Sequence, residues 1–249
     1  KADKILLDFK KQNPKILINT KCGWDLNMNR TYNIDEIKKG IENTLEKFGK
    51  INVLQLHNPR KEIKNWDLIV EIFNHYKKKK LIKYSGISLA RNHYFSTKVL
   101  NSFDFIQDEF NLLRIDPIKK IKAYKNTLAA RSVFANGILT DGFNKDSVYH
   151  KNDHRNSWLK GKRKNNILMQ KKILKELTHD NISQFAMNFA MQYKMFDKFI
   201  FGFRTLNQFN SFLINIKHLK PLNKETTKKI ILLNKNNKFF LNKKLRYNN

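Results

Sequence analysis

The chain has 249 residues, enough for one large α/β domain or two small ones, and its 41% hydrophobic content supports a sizeable core. The formal charge is +29, from 50 Lys and Arg against 21 Asp and Glu, and the single cysteine, Cys22, excludes an internal disulfide framework and a cysteine-built metal cage. No charged-then-apolar leader opens the sequence and no apolar run approaches the roughly 20 residues of a membrane span, so a cytoplasmic protein without a membrane partner is expected.

In chain order, helical periodicity over Ala2 to Lys11 precedes a short apolar, β-branched run at Ile16 to Thr20 that reads as a buried strand. A helix over Asp35 to Phe48 leads to a strand at Ile51 to Leu56, and a helix over Trp66 to Lys79 leads to a strand at Ile82 to Ile87. The pattern continues with a helix at Tyr94 to Phe103, a strand at Phe105 to Phe110, a helix at Pro117 to Tyr124 and a strand at Leu128 to Phe134. Gly137 to Arg163, crowded with Asp, Asn, His and Lys, reads as a long loop, and a loop of that size is usually functional. A helix at Ile182 to Tyr193, a strand at Phe199 to Phe203 and a helix at Thr205 to Leu219 complete the alternation, and 222–249 forms a basic, Asn-rich final helix and tail.

Strands apolar on both faces and separated by crossover helices imply a parallel sheet covered by helices. The three spaced glycines of a dinucleotide-binding first turn are missing, which counts against the doubly wound form and leaves a closed barrel as the other arrangement. In a barrel, the carboxyl ends of the strands form the active face. Polar groups gather at those ends: Lys21 after the first strand, His57 after the second, Ser88 after the third, Gln107 within the fourth, and Arg131 with Ser132 in the fifth. Strand ends are wetter than strand middles, which accounts for any one of these residues but not for their order.

A charge of +29 ordinarily favours a nucleic-acid or anionic-membrane partner. The lysines are scattered along the chain, mostly on polar helix faces, and accompany Asn, Ile and Phe rather than glycine-rich or arginine-rich binding segments. That distribution favours compositional drift over a nucleic-acid surface. His150, Asp153, His154 and Arg155 fit no common metal-ligand spacing, so no metal is assigned. The run Lys77 to Lys80 reads as a solvated helix end, where cations are favoured.

The stretches ILINTK at 16–21, INVLQLHNP at 51–59, IKYSGIS at 82–88, FIQDEFNLL at 105–113, ARSVFANGILT at 130–140 and FIFGFRTLNQF at 199–209 resemble, in order, the third to eighth strand motifs of aldo-keto reductases. The helix TYNIDEIKKGIENTLEKFG resembles the one before that family's histidine strand, and the resemblance covers nearly the whole chain. It implies a single domain over 1–249, a (β/α)8 TIM barrel of which this chain holds six parallel strands and lacks the first two. It also implies an oxidoreductase that reduces an aldehyde or ketone, such as a sugar or another polar metabolite, with NADP(H), or alternatively NAD(H).

By that resemblance Lys21 and His57 match the family's catalytic lysine and histidine, while the aspartate and tyrosine of the same tetrad are expected ahead of residue 1. Ser88 and Gln107 match positions that hydrogen-bond the nicotinamide carboxamide, and Leu89 stands where an asparagine is common. Arg131 takes the place of a flat side chain over the nicotinamide ring. Ser132 and the backbone to Gly137 correspond to the pyrophosphate segment. Gly202, Thr205 and Gln208 correspond to the loop and helix start that hold the adenosine ribose and its 2′-phosphate, with Arg204 as a phosphate partner, although Phe203, Leu206 and Phe212 occupy places that are often polar. Trp24 lies in a loop that lines the substrate pocket, and Tyr32 reads only as a residue ahead of a helix. The competing reading is a catalytically inactive barrel remnant or a basic protein that binds anions or nucleic acid; neither reading assigns an oligomeric state.

Overall fold

A computed structural model describes residues 2–25, 29–60, 63–89, 95–117 and 126–236. Its elements in order are α1 (Ala2–Gln12), β1 (Asn19–Cys22), α2 (Ile34–Phe48), β2 (Ile51–His57), α3 (Trp66–Lys78), β3 (Ile82–Ser88), α4 (Thr97–Asn101), β4 (Phe105–Glu109), β5 (Thr127–Arg131), α5 (Arg155–Trp158), α6 (Gly161–Lys175), α7 (Ile182–Met191), β6 (Lys198–Ile200), α8 (Leu206–Lys217) and α9 (Lys224–Asn236). The strands are parallel and hydrogen-bonded in chain order from β1 to β6, so the expected α/β alternation around six parallel strands is present. Most of the helix expected at Pro117 to Tyr124, residue 94 of the one at Tyr94 to Phe103, and 237–249 of the tail lie outside the described residues.

The chain divides into two compact units, Lys1–Asp108 with Lys122–Ala129, and Glu109–Ile121 with Ala130–Asn249. In the first, α2 starts where the Asn33 side chain accepts hydrogen bonds from the backbone of Asp35 and Glu36, and two acidic residues in the first turn suit the positive end of the helix dipole. The helix stops at Gly49, whose φ of 68° is open to glycine at little cost. Between these ends Ile37, Ile41 and Phe48 recur at helical spacing and are buried, as are Ile69, Ile72, Phe73 and Tyr76 on α3. Leu54, Leu56, Ile87 and Ile106 share the strand face of opposite parity to Val53, Gln55, His57, Gly86 and Ser88. Val53, Phe105 and Ala129 form a buried apolar cluster on that second parity. Asp104 staples β3 to β4, accepting from the Ser85 amide at 2.8 Å, the Ser85 hydroxyl at 2.9 Å and the Lys77 ammonium. These hydrogen bonds outweigh desolvation, the largest single influence, and hold its carboxyl below the ordinary value.

The second unit is built on aromatic packing. Phe110 stacks on Phe189 at 5.6 Å and meets Tyr193 and Phe196 at 5.1 and 4.7 Å between ring centroids. The loop expected over Gly137 to Arg163 contains α5 and the start of α6. Helix α6 escapes periodicity because its buried side includes Gln170 and Lys171 beside Ile167 and Leu174. Lys171 is buried because its ammonium donates to the Thr140 carbonyl at 2.6 Å and to that of Phe143, and it lies over the Phe143 ring. Strand boundaries also move, by a residue or two at several ends, which puts Lys21 inside β1, and further at three. β1 begins at Asn19 rather than Ile16, β6 covers only Lys198–Ile200, and β5 ends at Arg131 because Ser132 turns into left-handed backbone at φ 59°.

One glycine decides how closely β2, β3 and β4 can lie. A Cβ on Gly86 would stand 2.7 Å from Gln55 Cγ and 3.0 Å from the Phe105 carbonyl oxygen. We expect Gly86→Ala to destabilise the protein by about 1–3 kcal/mol, seen as a lower urea midpoint with an unchanged slope.

Candidate active site

The strand register assembles the first group of expected residues. His57 pairs with Ser88, and Ser88 with Gln107, so the three stand in one row across the carboxyl ends of β2, β3 and β4. Lys21 pairs with Gln55, two residues before His57, which puts it one row back on the same face. Lys21 and His57 are half-buried, whereas Ser88 and Gln107 are 1% and 3% exposed. Ser88 Oγ and Gln107 Oε1 are buried without a hydrogen-bond partner among the described residues, and so are Gln55 Oε1 and Asn58 Oδ1 nearby in the chain. A buried polar atom left unsatisfied costs about 1–3 kcal/mol. Four of them lie at or near the carboxyl ends of three neighbouring strands.

Gln55 and Asn58 were not singled out by sequence. The signal for Gln55 was present, since Val53, Gln55 and His57 alternate onto one face of β2. Asn58 carries the chain out of the strand in left-handed backbone, φ 48°. Its amide donates to the Ser88 carbonyl at 2.8 Å, and its carbonyl accepts the Tyr32 hydroxyl at 2.9 Å. Tyr32 therefore does more than precede a helix: it clamps the turn after the histidine.

Beyond β1, Gly23 turns the chain at φ 99°, and Trp24 and Arg30 form an antiparallel bridge. The Trp24 indole nitrogen donates to His57 Nδ1 at 2.7 Å, and the Arg30 guanidinium lies 5.5 Å from the indole centroid. Trp24 thus touches the histidine directly. Cys22, buried beside it, has its thiol pushed up to about 12 by desolvation and is unreactive.

The second group of expected residues lies in the other unit. Arg131 ends β5 with its guanidinium 3.3 Å from the Ser132 hydroxyl and 3.9 Å from the Glu109 carboxylate. The Ser132 carbonyl accepts from the Asn111 side chain at 3.0 Å. Ser132, Ala135, Asn136 and Gly137 all have positive φ, a concentration of left-handed backbone in the segment matched to the pyrophosphate. Gly137 faces Arg155, whose Nη1 would be 3.1 Å from an added Cβ. Thr205 caps α8 by accepting the Gln208 amide at 3.3 Å, and the Gln208 side chain accepts the Arg204 amide at 2.8 Å. Among the described residues other than its chain neighbours, no heavy atom lies within 4 Å of where Gly202 would carry a Cβ.

Arg204 has a partner that sequence did not provide. Its guanidinium donates to Asp153, which also takes a two-pronged pair of bonds from Arg155 at 2.7 and 3.0 Å. Arg155 in turn donates to the Asn136 carbonyl at 3.1 Å and lies 3.8 Å from the centre of the Tyr149 ring. Of the four residues weighed against a metal-ligand spacing, Arg155, held by Asp153, thus ties the loop to the 132–137 segment through the Asn136 carbonyl.

The family's sequence profile, described as the aldo/keto reductase family, matches residues 2–234. This chain belongs to the aldo/keto reductase family. No curated protein sequence matches it. Among solved structures it is similar to an aldo-keto reductase of Bacillus halodurans in its holo form, at 18% identity and a TM-score of 0.72, covering 93% of this chain and 77% of that one. It is similar also to the glycerol dehydrogenase of Gluconobacter oxydans, at 18% identity and a TM-score of 0.73, covering 93% and 76%. At such identities these likenesses establish the fold alone. No helix among the described residues of this family member is long and apolar enough to cross a membrane.

The Asp153 carboxyl is held well below the ordinary carboxylate range, first by the side-chain bonds from Arg155 and then by that from Arg204. A depressed folded pKa contributes stability that is present above the unfolded value of about 3.9 and lost as pH falls through the folded one. We expect Asp153→Asn to lower the melting temperature at pH 7, and the gap to wild type to narrow below about pH 4.

Proposed function

We propose that this chain binds NADP(H) and positions a carbonyl for reduction, acting as an oxidoreductase on an aldehyde or ketone. Membership of an oxidoreductase family sets the class. The observation that carries the reading is the pair of orphaned, buried oxygens on Ser88 and Gln107, adjacent in register beside His57. A carboxamide NH2 is the kind of donor that would satisfy both, and when bound a reduced nicotinamide supplies the hydride. In the other unit, the turns of left-handed backbone between Ser132 and Gly137 are of the kind that cradles phosphate oxygens, with the Ala135 and Gly137 amides already donating to the Ser132 and Phe134 carbonyls within them. Gly202, Thr205 and Gln208 form the turn and first turn of a helix whose positive end favours a phosphate, and Arg204 supplies a cation there. Arg131 supplies a guanidinium plane for stacking.

For the carbonyl, His57 donates a hydrogen bond to the substrate oxygen, a contact that strengthens as negative charge develops. Lys21, one row back on the same face, places an ammonium that eases proton transfer to that oxygen by favouring the deprotonated form of a neighbouring hydroxyl acid. Trp24 closes the side of the pocket next to His57. The competing reading, a basic protein that binds nucleic acid or other anions through their phosphates, does not account for buried orphan acceptors, since phosphate oxygens bring no donors to them.

Titration with NADPH, followed by quenching of tryptophan fluorescence, tests the proposal. We expect saturable binding that Ser88→Ala and Gln107→Ala each weaken about fivefold to tenfold, the effect of one hydrogen bond of about 1–1.5 kcal/mol. The same Ser88→Ala change should leave the ligand-free protein as stable as wild type or about 1 kcal/mol more stable, because it removes an unsatisfied buried atom. Absence of any NADPH effect together with salt-sensitive binding of nucleic acid would overturn the reading.

A further inference from the structure

We infer that Trp24 locks the His57 imidazole into one tautomer and one orientation, making Trp24 a positioning residue for the oxygen that His57 addresses. The inference rests on the reading of His57 as the carbonyl-binding group, but its physical content stands on one bond. An indole N–H has no acceptor capacity and can only donate. His57 Nδ1, 2.7 Å from it, must therefore accept, and a nitrogen that accepts carries no proton. A neutral imidazole has one N–H, so that hydrogen sits on Nε2. A doubly protonated ring would set two N–H groups against each other and break the bond.

The surrounding segment holds the donor in place. Gly23 sets the turn into Trp24 with a φ of 99°, and the Gly23 carbonyl accepts the Thr31 amide at 3.1 Å. The Trp24 and Arg30 bridge closes the loop, and the Arg30 guanidinium lies 5.5 Å from the indole centroid. The indole and imidazole centroids are 5.4 Å apart with planes inclined by 49°, so the indole approaches the imidazole with its N–H edge and does not stack on it. Thr31 donates to Glu36 in the first turn of α2, tying the loop to the helix. Tyr32, the next residue, clamps the Asn58 carbonyl at 2.9 Å. Trp24 and Tyr32 therefore grip His57 from its ring and from the turn that follows it.

The consequence is a division of labour. With Nδ1 occupied, His57 offers an oxygen one neutral N–H donor from Nε2 and cannot be recharged with a proton through Nδ1. It orients and stabilises; the proton must come from another group. A tryptophan that merely filled space would impose no such restriction, and phenylalanine would replace it.

The test is nuclear magnetic resonance of the full 249-residue chain labelled with 15N, with His57 assigned by the signal lost in His57→Gln. Long-range proton–nitrogen spectra at neutral pH should show Nε2 protonated and Nδ1 bare. A nitrogen–nitrogen coupling across the hydrogen bond should link Trp24 Nε1 to His57 Nδ1. In Trp24→Phe that coupling is lost, and the His57 nitrogens should report exchange between the two tautomers, in a protein that still melts cooperatively. Wild-type His57 protonated on Nδ1, or unchanged His57 nitrogen shifts in folded W24F, would overturn the inference. Should W24F not fold, the wild-type tautomer and coupling decide it alone. Neither measurement requires NADPH or turnover, so a failure of cofactor binding would count against the reductase reading and leave this one standing.

Discussion

Everything at the candidate site depends on the parallel register of β1 to β4. In a strand, successive side chains point to opposite faces, so packing one parity against helices fixes what the other parity presents. Leu54, Leu56, Ile87 and Ile106 are almost wholly buried, and α2 and α3 bring buried isoleucines and phenylalanines to the same unit. A slip of one residue in β2 would exchange Leu56 for His57 and place an imidazole where a leucine is buried. The hydrophobic side of the sheet thus sets the chemical side. His57, Ser88 and Gln107 share a row because neighbouring strands are held there by ladders whose other face cannot tolerate a shift.

Gly86 shows how tight that arrangement is. The Gln55 side chain crosses the place where any other residue at position 86 would carry a Cβ, and the Phe105 carbonyl closes the same place from β4. Glycine within a strand costs entropy and often marks such a close approach. Here it leaves room for the Gln55 side chain beside β3, in the row of Lys21 and one behind His57.

The strands and their polar ends were legible in the sequence because both signals are local. A β-branched apolar run identifies a buried strand, and the residue that ends it is read directly, which is how Lys21, His57 and Ser88 were found. The first and last strands were harder. Ile16 and Leu17 are apolar yet precede β1, and Phe201 and Phe203 follow β6, so hydrophobicity ran past the ladder at both ends. Helix α6 was invisible for the opposite reason. Its buried positions include a lysine whose charge is matched by backbone carbonyls 28 and 31 residues away in sequence, and no local pattern encodes such a partner. The pairing of Arg204 with Asp153, 51 residues apart, was hidden in the same way. Whatever depends on long-range polar pairing escapes a reading built on periodicity.

That pairing also explains how a chain with 50 basic and 21 acidic residues remains folded around a few buried charges. Self-repulsion at such a charge is relieved where carboxylates are shared, and the described acids at key positions each meet a base: Asp104 meets Lys77, Asp153 meets Arg155 and Arg204, and Glu109 meets Arg114 and Arg131. Buried polar groups are therefore used in two opposed ways. Asp153 and Lys171 are supplied with partners and fix loops in place, as a satisfied network does. Ser88, Gln107, Gln55 and Asn58 keep oxygens without partners among the described residues, at a free-energy cost that packing elsewhere must offset. A fold that can satisfy a buried lysine with backbone carbonyls could equally have replaced these oxygens by apolar atoms. Three of them, those of Gln55, Ser88 and Gln107, share by register the face on which Lys21 and His57 stand.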